Sequence, residues 1–429
     1  MSFAEPDGTV LISDGGLATE LEAQGHDLSD ALWSARLLAD APDAITAAHL
    51  AFFRAGAVIA TTASYQASFG GFAARGIGRS GTARLLRRSV ELARAARAEL
   101  AGDGRRRWVA ASVGPYGAAL ADGSEYRGRY GLSVAELEDW HRPRLEAIAE
   151  AGPDVLALET VPDVDEAEAL LALVSEFSLP AWLTYSIAGD RTRAGQPLAE
   201  AFALAAGVPE IVAVGVNCCS PEDVSAAILV AREAAGKPVI VYPNSGQNWD
   251  SPRRTWIGRS RFAAEQARSW IADGAQVIGG CCRVRPADIA ALAQVVADVV
   301  LAGCRLRVGG GDLLRHLLDL GQPRQGGPRQ DLPDVGQRHQ EFLDAVQGCV
   351  IARVQQDRPV VLGGDGPAGQ VDGRGVGKEK RGDRCVQGQG QGGQLGRGEG
   401  AAPSFGLVDG LAAPGLVQVL AHGLAQLGE

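Results

Sequence analysis

The chain of 429 residues is poor in lysine, methionine and aromatic side chains. Lys237, Lys378 and Lys380 are its only lysines, Met1 is its only methionine, and aromatic residues make up 5%. Acidic residues outnumber basic ones 51 to 41, giving a net charge of −10. That balance excludes the basic field a nucleic-acid surface requires. No run approaches the roughly 18 apolar residues needed to cross a bilayer. The first ten residues, "MSFAEPDGTV", lack the basic start and apolar stretch of a secretory signal. The expected location is therefore cytoplasmic, with small molecules rather than nucleic acid or membrane as partners, and with no oligomeric state implied. Cysteine is scarce as well, at seven residues, yet four of them form two adjacent pairs, Cys218-Cys219 and Cys281-Cys282. In a reducing compartment clustered cysteines are more often metal ligands or reactive thiols than structural disulfides.

What is present is an alternation of two textures up to about residue 302. Short, apolar, β-branched runs read as strands at 9–16, 57–64, 107–115, 154–162, 181–187, 211–219, 238–246 and 275–282. Between them, stretches with helical periodicity cover 43–55, 81–101, 133–151, 164–177, 222–235, 260–273 and 286–299. Ser133 and Glu136 have the spacing of a capping box. Ser220 and Pro221 read as a cap and first helical residue. Near-continuous apolar strands alternating with helices predict a parallel sheet closed as a (β/α)8 TIM barrel, with an open doubly wound sheet as the alternative. From 303 to 429 the texture becomes Gly/Gln/Arg-rich, holding 29 of the 57 glycines. That segment is expected to be a disordered tail or an aberrant extension, with isolated apolar patches at 312–320 and 416–427.

The chemically distinctive residues share one address. Asp14-Gly15-Gly16, Glu159-Thr160, Asn217-Cys218-Cys219, Asn244-Ser245-Gly246 and Cys281-Cys282 all fall at the C-terminal ends of predicted strands, the face on which barrels build active sites. Three cysteine sulfurs from two strand ends suit a catalytic zinc site, which uses three protein ligands and keeps one position open. Adjacent residues on a strand point to opposite faces. For Cys281 and Cys282 to share one ion the chain must therefore leave β geometry, and Gly279 and Gly280 are expected to supply the freedom. Spacing alone leaves two other readings open, buried free thiols and a vicinal disulfide. An ordinary strand–helix turn at "DGG" also remains open, as does a paired strand-end acid at Glu159.

The motifs "DGGLATEL", "LWSARLL", "TASYQAS", "ALETVPDV", "GVNCCSPE", "VYPNSGQNWD" and "IGGCCR" together resemble the homocysteine S-methyltransferase family, in order, over residues 9–301. The likeness is greatest to the bacterial and plant branch that uses S-methylmethionine or S-adenosylmethionine. The resemblance implies zinc (Zn2+) held by Cys218, Cys281 and Cys282, with Asp14 and Glu159 receiving the substrate's ammonium group. It leaves Cys219 without a role, since the family pattern has one cysteine there. Val284 stands where the family usually has a small hydroxyl residue. Gly15 and Gly16 offer backbone N–H groups for the substrate carboxylate, and Asn217 joins the substrate-binding set. Trp33, Tyr65 and Asn244 are weaker pocket candidates, the aromatic rings being suited to a cationic donor.

The implied reaction moves a methyl group from a sulfonium to the zinc-bound thiolate of L-homocysteine, giving methionine. A metal that has already removed the thiol proton makes a general base unnecessary, which agrees with the absence of histidine from every strand-end motif. The alternatives are a betaine-dependent methyltransferase with the same metal, a vicinal-dithiol redox protein without one, and a binding module in which zinc only holds the rim together.

Overall fold

The structure, a computed structural model, describes residues 10–250 and 255–307. Eight parallel strands are β1 (Leu11–Ile12), β2 (Ile59–Thr61), β3 (Trp108–Val113), β4 (Val155–Val161), β5 (Ala181–Tyr185), β6 (Ile211–Asn217), β7 (Val239–Tyr242) and β8 (Ala275–Ile278). Each pairs with its neighbour in sequence, β8 returns to β1, and a bridge between Ser13 and Ile59 closes the ring. A helix follows every strand: α1 (Pro42–Arg54), α2 (Arg79–Glu99), α3 (Val134–Glu150), α4 (Val164–Phe177), α5 (Leu198–Ala203), α6 (Val224–Ala235), α7 (Ala267–Asp273) and α8 (Pro286–Arg307). This is a (β/α)8 barrel, with short extra helical turns and two hairpins in its loops.

The two-residue alternation of strands separates two cores. Leu11, Ile59, Trp108, Ala110, Val155, Ala157, Trp182, Ala213, Ile240, Tyr242 and Val277 fill the barrel interior. Their outward neighbours, among them Val109, Leu156, Leu183, Val214, Val241 and Ile278, pack beneath the helices. The two buried indoles face a ring of alanines inside the barrel, large against small, so the interior is packed rather than hollow. The same period carries Ser112, Glu159 and Thr184 into the interior one step above this layer, where Thr184 Oγ1 lies 2.8 Å from the Tyr242 hydroxyl.

Three local expectations need correction. The Ser133–Glu136 capping box forms as predicted. Ser220 stands at the N-cap position before Pro221 as predicted, but the element is a 3-10 turn, Pro221–Asp223, leading into α6, and the Ser220 hydroxyl bonds Glu222 instead of a backbone amide. Helix α5 was not predicted, because six residues carry too little periodicity to read. Helix α8 runs to Arg307, past the helix end expected at 299. Beyond it, the predicted tail with its patches at 312–320 and 416–427 lies outside the described residues, as does the stretch 1–9. Among the described residues no helix is long and apolar enough to cross a membrane.

Candidate metal centre and substrate pocket

Cys218, Cys219, Cys281 and Cys282 are all free thiols. The sulfurs of Cys218, Cys281 and Cys282 lie within 4.8 Å of one another, with Cys218 and Cys281 2.6 Å apart. An ion bound to three thiolates at the usual Zn–S length of about 2.3 Å requires sulfurs roughly 3.8 Å apart. A cluster of this size and donor chemistry can therefore hold a soft or borderline metal ion.

The backbone around the trio is bent at identifiable points. Cys218 immediately follows β6 and has φ 48°, a left-handed conformation that a non-glycine residue seldom adopts. That turn sends Cys218 toward the mouth and Cys219 outward. Cys219 is buried in the outer hydrophobic layer, where loss of solvation pushes its thiol pKa up. It packs as a small neutral core residue and takes no part in the cluster. At β8 the strand stops at Ile278. The side-chain oxygen of Asn244 accepts from Cys282 N at 3.0 Å, Cys281 N donates to Pro243 O, and Arg283 has φ 67°. The chain leaves β geometry at Gly279 and Gly280, as expected, without either taking a positive φ. Close approach also requires glycine there. A Cβ on Gly279 would stand 2.7 Å from Ser13 Cβ, and one on Gly280 would collide with the Val284 side chain. Val284 is fully buried against that gap, and a β-branched shape suffices to fill it.

Within the trio, hydrogen bonds from Cys218 and Cys281 hold the Cys282 thiol well below its ordinary range. The Cys281 thiol is pushed up by its bonds to Cys218 and Cys282. Cys218 is lowered by its bond to Cys281, but the opposing effects of Cys282 and burial leave it raised. Three thiols this close oppose one another's ionisation, and a divalent cation is what would allow all three to ionise.

Two buried carboxyls flank the cluster. Asp14, just past β1, accepts from Thr61 N at 2.6 Å, from Thr61 Oγ1 at 2.9 Å and from Ser13 Oγ at 3.2 Å. Burial nonetheless pushes its pKa up to about 7. Glu159 accepts from the Ser112 hydroxyl and is reached by Tyr242, whose own hydroxyl accepts from Trp182 Nε1 at 3.0 Å. Burial, with Cys218 and Asp14 nearby, pushes the Glu159 pKa up to about 8. Beside it Thr160 adopts φ 59° and breaks the register of β4. The Asn217 amide holds this bulge, its Oδ1 accepting from Thr160 N at 2.7 Å and its Nδ2 donating to Thr160 Oγ1 at 2.8 Å. Gly16 N donates to Val284 O at 2.9 Å, which leaves Gly15 N as the amide of that turn without a partner among the described residues. Trp33 and Tyr65 meet edge to face, ring centres 6.2 Å apart, and Tyr65 bonds the Thr160 side chain. Sequence reasoning missed Ser112, Thr61 and Tyr242, which orient the two acids, and Glu125 and Tyr126, which enter from the loop after β3. The signal for the last pair was "ADGSEYRG", an acid and an aromatic in a glycine-punctuated loop, but it stands well beyond the strand end.

Converging thiols, buried acids and a closed parallel barrel define the class: a (β/α)8 barrel with three thiols able to hold a metal ion and two buried carboxyls at the C-terminal mouth. Residues 11–296 match the homocysteine S-methyltransferase family. The chain is 46% identical over 291 residues to the homocysteine S-methyltransferase of Escherichia coli K12, covering 66% of this chain and 94% of the relative. It is 40% identical over 305 residues to selenocysteine Se-methyltransferase of Brassica oleracea var. italica, covering 66% and 88%. Among solved structures, the metallated form of the homocysteine methyltransferase MmuM from Escherichia coli superposes with a TM-score of 0.61 at 46% identity, over 66% of this chain and 96% of that one. The chain belongs to the homocysteine S-methyltransferase family and is a methyltransferase.

Proposed function

We propose that the protein is a cytoplasmic, zinc-dependent enzyme that transfers a methyl group from a sulfonium donor, S-methylmethionine or S-adenosylmethionine, to L-homocysteine. The observation that carries this reading is the convergence of Cys218, Cys281 and Cys282 at the mouth of the barrel. Cys218, Cys281 and Cys282 would hold the zinc, which would lower the pKa of a substrate thiol and so supply a sulfur nucleophile at neutral pH. The chain's own residues do the rest. Asp14 and Glu159 receive the substrate ammonium, whose positive charge restores their ionisation against the cost of burial. Gly15 N is placed for the carboxylate. Asn217 and Asn244 act on backbone, the first fixing the Glu159–Thr160 bulge and the second the Cys282 amide.

The transfer is a displacement at carbon. The homocysteine sulfur forms a bond to the methyl carbon as the donor's C–S bond breaks. The bonding pair passes to the donor sulfur, which leaves as a neutral thioether. Most of the rate enhancement then comes from holding sulfur and methyl in line.

Metal per chain, and methionine formed from homocysteine with each sulfonium and with betaine, test this reading. Zinc near one per chain and turnover with a sulfonium are expected. Cys281→Ala should lose metal and at least about 1,000-fold in activity, a loss of roughly 4 kcal/mol, while its circular dichroism stays that of a folded barrel. A metal-free parent at full activity, or a Cys281→Ala variant that keeps turning over, sinks the mechanism; turnover with betaine alone reassigns the donor.

A further inference from the structure

Glu125 is a half-buried acid at the mouth of the barrel, with no ion-pair partner among the described residues. It lies in a 3-10 turn, Ser124–Tyr126, in the loop after β3. Its Oε2 is shielded from solvent and has no hydrogen-bond partner among the described residues. No ion pair to it occurs among them, and the charged groups acting on it, Cys218 and Asp122, are themselves acids. Its charge in turn reaches Tyr65 and Cys282. Gly117, on which the turn packs, lies three residues past Gly114, which packs on the Tyr65 ring. Tyr126 lies under the Arg193 guanidinium at 5.4 Å, whose Nε donates to Ser186 Oγ, itself bonded to Cys218 O. The turn therefore stands at the mouth between Tyr65 and the sulfur trio. The neighbouring Tyr126 phenol is acted on by all three sulfurs.

The loop is built to hold this position. A Cβ on Gly117 would stand 2.6 Å from Glu125 N and from Ser124 C, so the turn packs directly on the short helix Tyr116–Leu120. Ser124 N is tied to Asp122 Oδ1 at 2.9 Å, and Arg129 N to Asp163 Oδ2 at 2.8 Å across the mouth at the start of α4. A carboxylate whose buried oxygen is left open is costly unless a cation arrives with the ligand. On the reading above Asp14 and Glu159 take the homocysteine ammonium, and the donor brings two further cations, its own ammonium and its sulfonium. Of these, the sulfonium is the one that must lie against the sulfur trio for its methyl to reach the thiolate.

We propose that Glu125 is the recognition residue for the methyl donor, its carboxylate facing the sulfonium charge while Tyr65 and Tyr126 supply the aromatic walls. This rests on the sulfonium reading above. It also predicts a particular kinetic signature. The sulfonium becomes a neutral thioether as the methyl leaves, so its attraction to Glu125 is strongest before transfer and fades during it. An interaction of that kind lowers the donor KM without raising kcat.

The test is Glu125→Gln in the full chain, with S-methylmethionine and homocysteine varied in turn and methionine measured as a competitor of the donor. Methionine carries the same ammonium and carboxylate but lacks the charged methylated sulfur. Donor KM should rise by about 10- to 100-fold, the range for losing a charged partner. Homocysteine KM, metal content and methionine inhibition should stay within about twofold (a few tenths of a kcal/mol), with kcat unchanged or higher. Glu125→Ala should give the same split if the amide variant folds poorly. Equal weakening of donor and methionine would assign Glu125 to the amino-acid group and overturn the proposal. So would an effect on homocysteine KM, a fall in kcat, or no effect at all. A parent that uses betaine and no sulfonium overturns the donor reading itself, independently of how Glu125→Gln behaves.

Discussion

Asp14, the ammonium partner in the proposed function, is a buried carboxyl held at a cost to the empty fold. It accepts from Thr61 twice and from Ser13, and burial still raises its pKa to about 7 from an ordinary 3.8. The folded value lies above the unfolded one. Its contribution therefore favours folding fully below about pH 4 and is lost as pH rises through 7. In the substrate-free protein, Asp14→Asn removes that loss. Its melting temperature should match the parent's near pH 4 and exceed it by pH 8, by an amount corresponding to about 1–3 kcal/mol. Homocysteine KM should rise about 10-fold or more in the same variant, because the ammonium loses a charged partner. Equal pH profiles for the two proteins would show that Asp14 is not held as described. The strand-end rule pointed to Asp14, Glu159 and both cysteine pairs; the resemblance to the family, not spacing, singled out Cys218 from Cys219 and gave the two acids their roles. Asn217 and Asn244 were legible as strand-end polar residues, but their hydrogen bonds depend on backbone angles at Thr160 and on the turn at Cys282, which no spacing encodes.

At the scale of elements, the mouth is shaped by what the helices hold in place. Arg144 on α3 is fully buried and donates from Nε to Ala67 O at 2.8 Å, from Nη1 to Gly114 O at 3.0 Å and from Nη2 to Tyr65 O at 3.1 Å. One guanidinium thus ties the loop after β2 to the loop after β3, the two that deliver Tyr65 and Glu125. Burial lowers its pKa to about 10, so it remains charged, with the buried Glu166 nearby as counter-charge and bonded to His141 at 2.8 Å. Arg144→Met would leave three carbonyls and Glu166 without their cation, a loss of about 3–5 kcal/mol. A drop in melting temperature on the order of 10 °C is expected, with metal content retained since no cysteine is touched. A variant melting within about 2 °C of the parent, under 1 kcal/mol by the same scaling, would mean the clamp is dispensable. The strands were readable because parallel strands buried on both faces are near-continuous apolar runs. Helix α5 and the hairpin Ile187–Ala188 with Arg191–Thr192 escaped, being shorter than the two turns or four alternations that a period needs to emerge.

For the whole molecule, the question is where the barrel ends. The family match stops at residue 296, yet helix α8 continues to Arg307. Its buried face, Ile289, Leu292, Val295 and Val296, covers the seam between the first and last strands. Each such side chain contributes about 1.5–3 kcal/mol by burial, so the four together are comparable to the entire stability of an ordinary domain. A chain ending after Arg307 keeps all of them, every cysteine of the cluster and both buried acids. It should bind metal and turn over within about twofold of the full chain, a difference under 0.5 kcal/mol. A chain ending at Pro286 keeps the same cysteines but opens the seam, and should aggregate or melt without a cooperative transition. Metal content and turnover of the two truncations decide between the alternatives. If the longer one loses both, residues beyond 307 belong to the functional unit; if the shorter one stays active, the seam between β8 and β1 closes without its helix.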